Sequence, residues 1–217
     1  MSSFLTHCAA KIRLAHLLVT TNRINDAHDL LKQALLSQTQ NLNLRAYYTH
    51  FLLHAGLPKP AKDFVFATLK DHGKHDVYSF CAAGWLMYHF ARESRDATPE
   101  GIRERKKGFQ RAAEFYEKAL QIDAMCAIAA QGLAIVVAED ALGSMLAPPG
   151  SLGGSAEEAL ARSKNSRDAL EVFAKVRESL NDGSVYANMG HCYYARDELE
   201  RAIESVSTIF SADPSMF

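Results

Sequence analysis

Apolar residues recur along this chain at spacings of three and four, the interval that gathers side chains on one face of a helix, and polar or Gly/Pro-bearing breaks divide them into blocks. Five blocks share one form, an alanine with apolar or small residues four and seven positions on. They are AHDLLKQA from Ala27, AKDFVFAT from Ala61, AAEFYEKA from Ala112, ALEVFAKV from Ala169 and AIESVSTI from Ala202. Their first alanines stand 34, 51, 57 and 33 residues apart. Upstream of the last three, a glycine lies among large residues one turn away: Gly84 with Phe80 and Met87, Gly132 with Ile128 and Ile135, Gly190 with Tyr186 and Tyr193. In the first, Leu14, Ala15 and Leu18 hold these places; in the second, Tyr48, Thr49 and Leu52 do so less well.

A small residue in one helix and an alanine early in the next let two antiparallel helices approach closely, while bulky residues a turn away fill the groove. With a period near 34, this resembles the tetratricopeptide (TPR) repeat. The expected fold is all-α: a right-handed TPR superhelix of about five helical hairpins, each covering the apolar face that its neighbour cannot cover alone. First helices are expected to begin near Cys8, Asn43, Val77, Met125 and Ser184, and second helices near Asn25, Pro58, Pro99, Ser155 and Asp197. Asp76, Asp123 and Asp182 are candidate caps. Asn22 to Asn25, Gly56 to Pro60 and Arg196 to Glu198 supply the breaks within pairs. One array over 1–217 is expected, with repeats at 8–41, 42–75, 76–124, 125–181 and 182–217.

The two long intervals place insertions at 92–108 and 143–165, each lengthening a second helix. In the first, Thr98 can cap and Pro99 can open a helix with Glu100 at its positive end. Ile102, Phe109, Ala113, Tyr116 and Leu120 are expected to form the apolar stripe, flanked by Arg105 and Lys106. In the second, MLAPPGSLGGS reads as a loop, with Ser155 and Glu158 as a capping box and an interruption of the helix near Asn165 and Ser166.

Composition narrows the function classes. The chain is 48% hydrophobic and 23% charged with a net charge of −1, so no basic excess points to a general polyanion binder. The longest mainly apolar runs, Ser79 to Ala91 and Cys126 to Ala138, fall short of the roughly 20 residues a bilayer span needs. Lys11 and Arg13 lie inside an amphipathic pattern, so no secretory signal is expected. Cys8, Cys81, Cys126 and Cys192 are too dispersed for a zinc ribbon or a disulfide framework and read as reduced, buried thiols. His50 and His54 share a helix face, but HFLLH lacks the glutamate of a zinc-protease motif, and His72 and His75 sit in a turn. No phosphate loop or nucleophile elbow occurs. The expectation is no catalytic residue, no metal and no cofactor.

Three stretches carry a more specific resemblance: AAQGLAIVVAED, VFAKVRESL and NMGHCYYARDELERAIE. Together with the insertion bearing RERKKG, they are similar to the later repeats of the TPR scaffold subunits of the RNA polymerase II-associated factor (Paf) complex, over roughly 140 residues. The Pro/Gly-rich segment 147–154 departs from the compact form of that repeat. The resemblance implies a nuclear, non-enzymatic scaffold that binds other Paf subunits through helical or extended segments, and reaches RNA polymerase II indirectly or through the full complex. It thereby supports transcription elongation and co-transcriptional histone modification. It also implies a longer parent protein, because Phe217 follows Asp213 and Pro214 with no polar capping helix. The runner-up is a TPR adaptor of an RNA-processing or chaperone complex.

TPR geometry points one face of each first helix into a groove. Its expected lining is His16, Val19, His50, Leu53, Trp85, Tyr88, Leu133, Val136, His191 and Tyr194, suited to a partner helix or extended peptide. A competing placement buries Trp85 and Tyr88 within the molecule. The chaperone-tail clamp needs Lys and Asn where this chain has Ile12, His16, Ala46, His50, Cys81 and Trp85, so that mode fits poorly. Arg103, Arg105, Lys106 and Lys107 are interleaved with acids, with Phe109 alone for stacking. They read as an exposed helix flank or docking edge for an acidic protein surface rather than a nucleic-acid contact.

Overall fold

The computed structural model describes residues 2–140, 156–180 and 182–212. Among these residues every regular element is helical, and ten helices follow one another. They are α1 (Ser2–Thr20), α2 (Ile24–Ser37), α3 (Leu42–His54), α4 (Pro58–Asp71), α5 (Val77–Glu93), α6 (Pro99–Ile122), α7 (Ala127–Asp140), α8 (Ala156–Ser179), α9 (Gly183–Ala195) and α10 (Leu199–Ala212). The chain divides into two compact units, 1–83 and 84–217, with the division inside α5.

Three hairpins turn by the same device. Asn22, Gly56 and Asp197 have φ of 59°, 71° and 63°, in the left-handed region that ends a helix. The next amide then donates back across the last turn: Arg23 to the Leu18 carbonyl at 2.7 Å, Leu57 to Leu52 at 2.9 Å, and Glu198 to Tyr193 at 3.0 Å. Asn and Asp tolerate this conformation better than other side-chain-bearing residues, so each break lands where sequence chemistry allows it. New helices begin on polar caps. Asn41 accepts from the Leu44 amide, Asp76 from Ser79, Thr98 from Gly101 and Asp182 from Ser184, at 2.8–3.1 Å. Asp123 accepts from the Met125 amide at 3.0 Å just before α7.

In the first unit, Ala15, Ala27, Leu31, Leu44, Ala61 and Val65 form the apolar interior. Arg45 lies among them, only 7% exposed. Its Nε donates to Thr68 Oγ1 at 2.9 Å, its Nη1 donates to the Thr39 carbonyl at 3.2 Å, and its guanidinium sits 4.5 Å over the Phe64 ring. Beside it, His28 and Tyr48 share a hydrogen bond of 2.9 Å, and the His28 ring stacks on Tyr48 and Phe51.

The second unit packs differently. The Tyr116 ring of α6 lies between Gly84 of α5 and Gly132 of α7, so close that a Cβ on either glycine would meet it. Gly108 approaches Ala91 in the same way, and Gly190 approaches Val206. These glycines permit a close approach of helices rather than an unusual backbone. Farther along, Phe173, Val176, Val185, Met189 and Cys192 close a core with Ala134 and Ala169.

The lengthened second helices are present: α6 and α8 each have 24 residues, where α2, α4 and α10 have 14. Three details differ from the sequence reading. α1 starts at Ser2, ahead of Cys8. The buried stripe of α6 runs through Gly101, Gly108, Phe109, Ala112, Tyr116 and Ala119, leaving Ile102, Ala113 and Leu120 at its half-buried margin. α8 continues without a break through Asn165 and Ser166, because Ser166 is buried in the packed face and the Ser163 carbonyl accepts from Arg196 Nη1 at 3.1 Å. The Pro/Gly-rich loop and the cap at Ser155 lie outside the described residues, as does the side chain of Glu158.

Candidate partner-binding groove

The first unit carries four of the expected groove positions. His16 and His50 are exposed, and Val19 and Leu53 half-buried. His50 has Tyr47 and His54 edge-on at 6.1 and 6.2 Å between ring centroids. Partial burial holds its imidazole below the usual histidine value, and the nearby charges of His54 and His16 push the same way.

In the second unit Trp85 is 42% exposed and stacks flat on His89 at 4.7 Å, with His89 Nε2 3.3 Å from a Glu93 carboxylate oxygen. Tyr88, one turn on, is tied into the molecule. Its hydroxyl donates to Glu139 Oε1 at 2.7 Å and accepts from Arg92 Nη1 at 2.9 Å, while Arg92 and Glu139 are 3.5 Å apart. Burial and the Glu139 carboxylate both raise the phenol above its ordinary value, so it stays protonated as a donor. Tyr88 is thus half-buried and tied to α7, while Trp85 stays exposed. Leu133 is half-buried, and His191 and Tyr194 are exposed, the latter 69%. Val136 is only 3% exposed, since it lies on the buried side of α7, and offers no surface to a partner.

Between α7 and α9, Tyr88, His191 and Tyr194 border a cavity of about 570 Å³. Ile135 and Phe173 give it apolar walls, while Glu139, Asn188, His191 and Arg92 give it polar ones. Sequence periodicity places Tyr88 and His191 on this face. It misses Arg92 and Asn188, which lie four and three positions from Tyr88 and His191, and Glu139, four positions from the lining residue Ile135, so that each shares the face at helical spacing.

The charged flank of α6 is divided. Arg103 and Lys106 are exposed, and Lys107 pairs with Glu104 at 2.6 Å. Arg105 is half-buried and turns back to donate to the Asp96 carbonyl at 2.7 Å, closing the loop ahead of α6 rather than facing outward. The Cys8, Cys81 and Cys192 thiols are buried, Cys126 is half-buried, and burial pushes Cys192 up to about 11. Among the described residues no group of three His, Cys, Asp or Glu could hold a metal ion, and no helix is long and apolar enough to cross a membrane.

No protein-family model matches the chain. It is 28% identical over 210 residues to the RNA polymerase-associated protein CTR9 of Saccharomyces cerevisiae, covering 94% of this chain and 17% of that protein. It is 27% identical over 206 residues to Tetratricopeptide repeat protein 1 of Schizosaccharomyces pombe, with the same coverage of 94% and 17%. The chain thus spans about a sixth of the length of these curated relatives. Among solved structures it is similar to TTC0263, a thermophilic TPR protein of Thermus thermophilus. That match has a TM-score of 0.71 at 14% identity and covers 96% of this chain and 93% of that one. It is also similar to YrrB, a TPR protein with an unusual peptide-binding site, with a TM-score of 0.52 at 16% identity, covering 95% and 86%. The all-helical fold is therefore of the tetratricopeptide type.

Proposed function

We propose that the chain is a segment of a scaffold of the Paf transcription-elongation complex, acting in the nucleus and without catalysis of its own. On this reading it binds other subunits of that complex through the first-helix faces, and so supports elongation and co-transcriptional histone modification. The observation that carries the proposal is similarity over 94% of the chain to an RNA polymerase-associated protein. It is supported by residues on the groove-facing positions that suit protein capture. Trp85 in the second unit is an exposed aromatic anchor held in one orientation by His89. Tyr194 presents a second exposed ring.

Co-expression of the chain with each other Paf subunit, followed by size-exclusion chromatography, tests this directly. At least one subunit should co-elute. Trp85→Ala should reduce the co-eluting fraction severalfold, as expected for an aromatic anchor, with the helical circular dichroism unchanged. If no subunit co-elutes, the Paf assignment falls and a TPR adaptor of another assembly takes its place.

A further inference from the structure

The cavity between α7 and α9 is unevenly equipped. Among the described residues its one carboxylate is Glu139, whose Oε1 receives the Tyr88 hydroxyl and lies beside Arg92, while Oε2 is buried without a hydrogen-bond partner. The polar groups that remain accessible can all donate. Arg92 is 60% exposed at its side chain, and only its Nη1 is engaged by Tyr88 and Glu139, leaving most of its five N–H groups open. Asn188 and His191, on the opposite wall, have no hydrogen-bond partner among the described residues. Tyr88 and Glu139 fix Arg92 from behind, so little side-chain freedom would be lost when a ligand meets it. A second hollow adjoins the first across His191 and Tyr194, and is lined by Ala187, Ile203, Val206 and Ile209. Ile203 and Val206 are 68% and 40% exposed there.

We propose that this pair of hollows seats an extended segment of a partner protein through an internal Asp or Glu side chain, which meets Arg92, Asn188 and His191, with a neighbouring aliphatic side chain placed against Ile203 and Val206. The proposal rests on the reading of the chain as a protein-binding scaffold and names the chemistry of what it binds. A carboxylate suits the site because its oxygens accept from several donors at once, and a guanidinium presents its donors in a matching fork. A basic segment is disfavoured, because the one carboxylate among the described lining residues is already balanced by Arg92, its unpartnered oxygen is buried out of solvent's reach, and Arg92 is the exposed charge. The apolar hollow adds a contact that carries no charge, so acid and aliphatic residue are required together.

The test uses three short labelled peptides in fluorescence anisotropy with the intact chain. One is amidated and carries Ile-Glu-Leu in a Gly/Ser background, its counterpart carries Ile-Gln-Leu, and the third is the Gln peptide with a free C-terminal carboxylate. The Glu peptide should bind about tenfold tighter than the amidated Gln peptide, the gain of one charge-assisted contact. That preference should shrink as salt rises. Arg92→Gln should erase the preference, so that the Glu and Gln peptides bind equally weakly, and Arg92→Lys should keep part of it, with thermal melts confirming that both variants fold. Equal binding of the Glu and Gln peptides overturns the proposal in favour of backbone-only recognition. So does failure of the Glu peptide to saturate by ~1 mM. A free-carboxylate Gln peptide that matches the Glu peptide assigns the site to a chain terminus instead. None of these results bears on co-elution with Paf subunits, so failure here and failure of the scaffold reading are separable.

Discussion

Arg45 and Tyr116 occupy comparable places, each at the heart of its own unit, and are accommodated by opposite means. Around Arg45 the helices make room for a charged group and satisfy it with Thr68, the Thr39 carbonyl and the Phe64 ring. The neighbouring His28 and Tyr48 extend that polar-aromatic seam. Around Tyr116 the helices close in through Gly84 and Gly132 and grip a ring face to face. One repeat type thus tolerates two kinds of interior, one specified by hydrogen-bond geometry and the other by volume. A volume-specified site is damaged by any change in size, whereas a hydrogen-bonded site is damaged by loss of a particular donor.

The largest effect is expected at the glycine slot. Tyr116→Ala should cost about 3–5 kcal/mol, the range for deleting a buried aromatic side chain. Gly132→Ala pushes a methyl into the ring and should cost about 1–3 kcal/mol through overpacking. The double variant decides whether volume is the issue. A methyl that enters space vacated by the ring should cost less than the sum, so denaturant titration should show a coupling energy of about 1 kcal/mol or more. Strict additivity would mean that the ring and the glycine are not packed as described.

How much of this was legible in the sequence follows the same division. Helix starts at Pro58, Val77 and Pro99 and the cap at Thr98 were readable, because proline and short polar side chains act locally. The small positions Gly84 and Gly132 also stood out, since each lies among large residues one turn away, Phe80 and Met87 or Ile128 and Ile135. Yet the buried stripe on α6 is displaced from the one that its large apolar residues suggest. Gly101, Gly108, Ala112 and Ala119 pack by being small, and a hydrophobic pattern gives them less weight than Ile102 or Leu120. Arg45 was invisible, because a charged residue counts as surface unless its partners are known, and Thr68 and Thr39 are distant or backbone groups. The same limit applies to the candidate groove. Helical spacing leaves Trp85 open between an exposed and a buried placement, and the tie of Tyr88 to Glu139 spans 51 residues of sequence, so no spacing rule reports it.

A middle-sized effect is expected at Arg45. Arg45→Met keeps the length of the stem and its packing, and leaves Thr68 bonded to the Phe64 carbonyl at 2.8 Å. What is lost is the pair of hydrogen bonds and the cation–π contact, so about 1–2 kcal/mol should disappear in denaturant titration. Arg45→Lys keeps the charge but cannot reach Thr68 and Thr39 in one planar geometry, and should do no better than Met. Full stability of the lysine variant would show that charge alone satisfies this seam.

The smallest effect separates the units by pH. His28 is held below the ordinary imidazole value of 6.5, first by burial and then by the charge of Lys32, with Asp29 opposing; His50, in the same unit, is shifted the same way. A folded state that resists protonation binds fewer protons than the unfolded chain once the pH drops to the unfolded value. The stabilising contribution is therefore fully present above pH 6.5 and is lost as the pH falls from there to the depressed folded value. Hydrogen exchange followed by mass spectrometry, corrected for intrinsic rates, should show protection falling in α2 and α3 as the pH is lowered through that window. The helices around Tyr116 should lose less. His28→Phe keeps a ring against Tyr48 and Phe51 but cannot titrate, so it should flatten the fall in α2 and α3. An equal loss in both units, or an unchanged slope in His28→Phe, would place the acid sensitivity outside this polar seam.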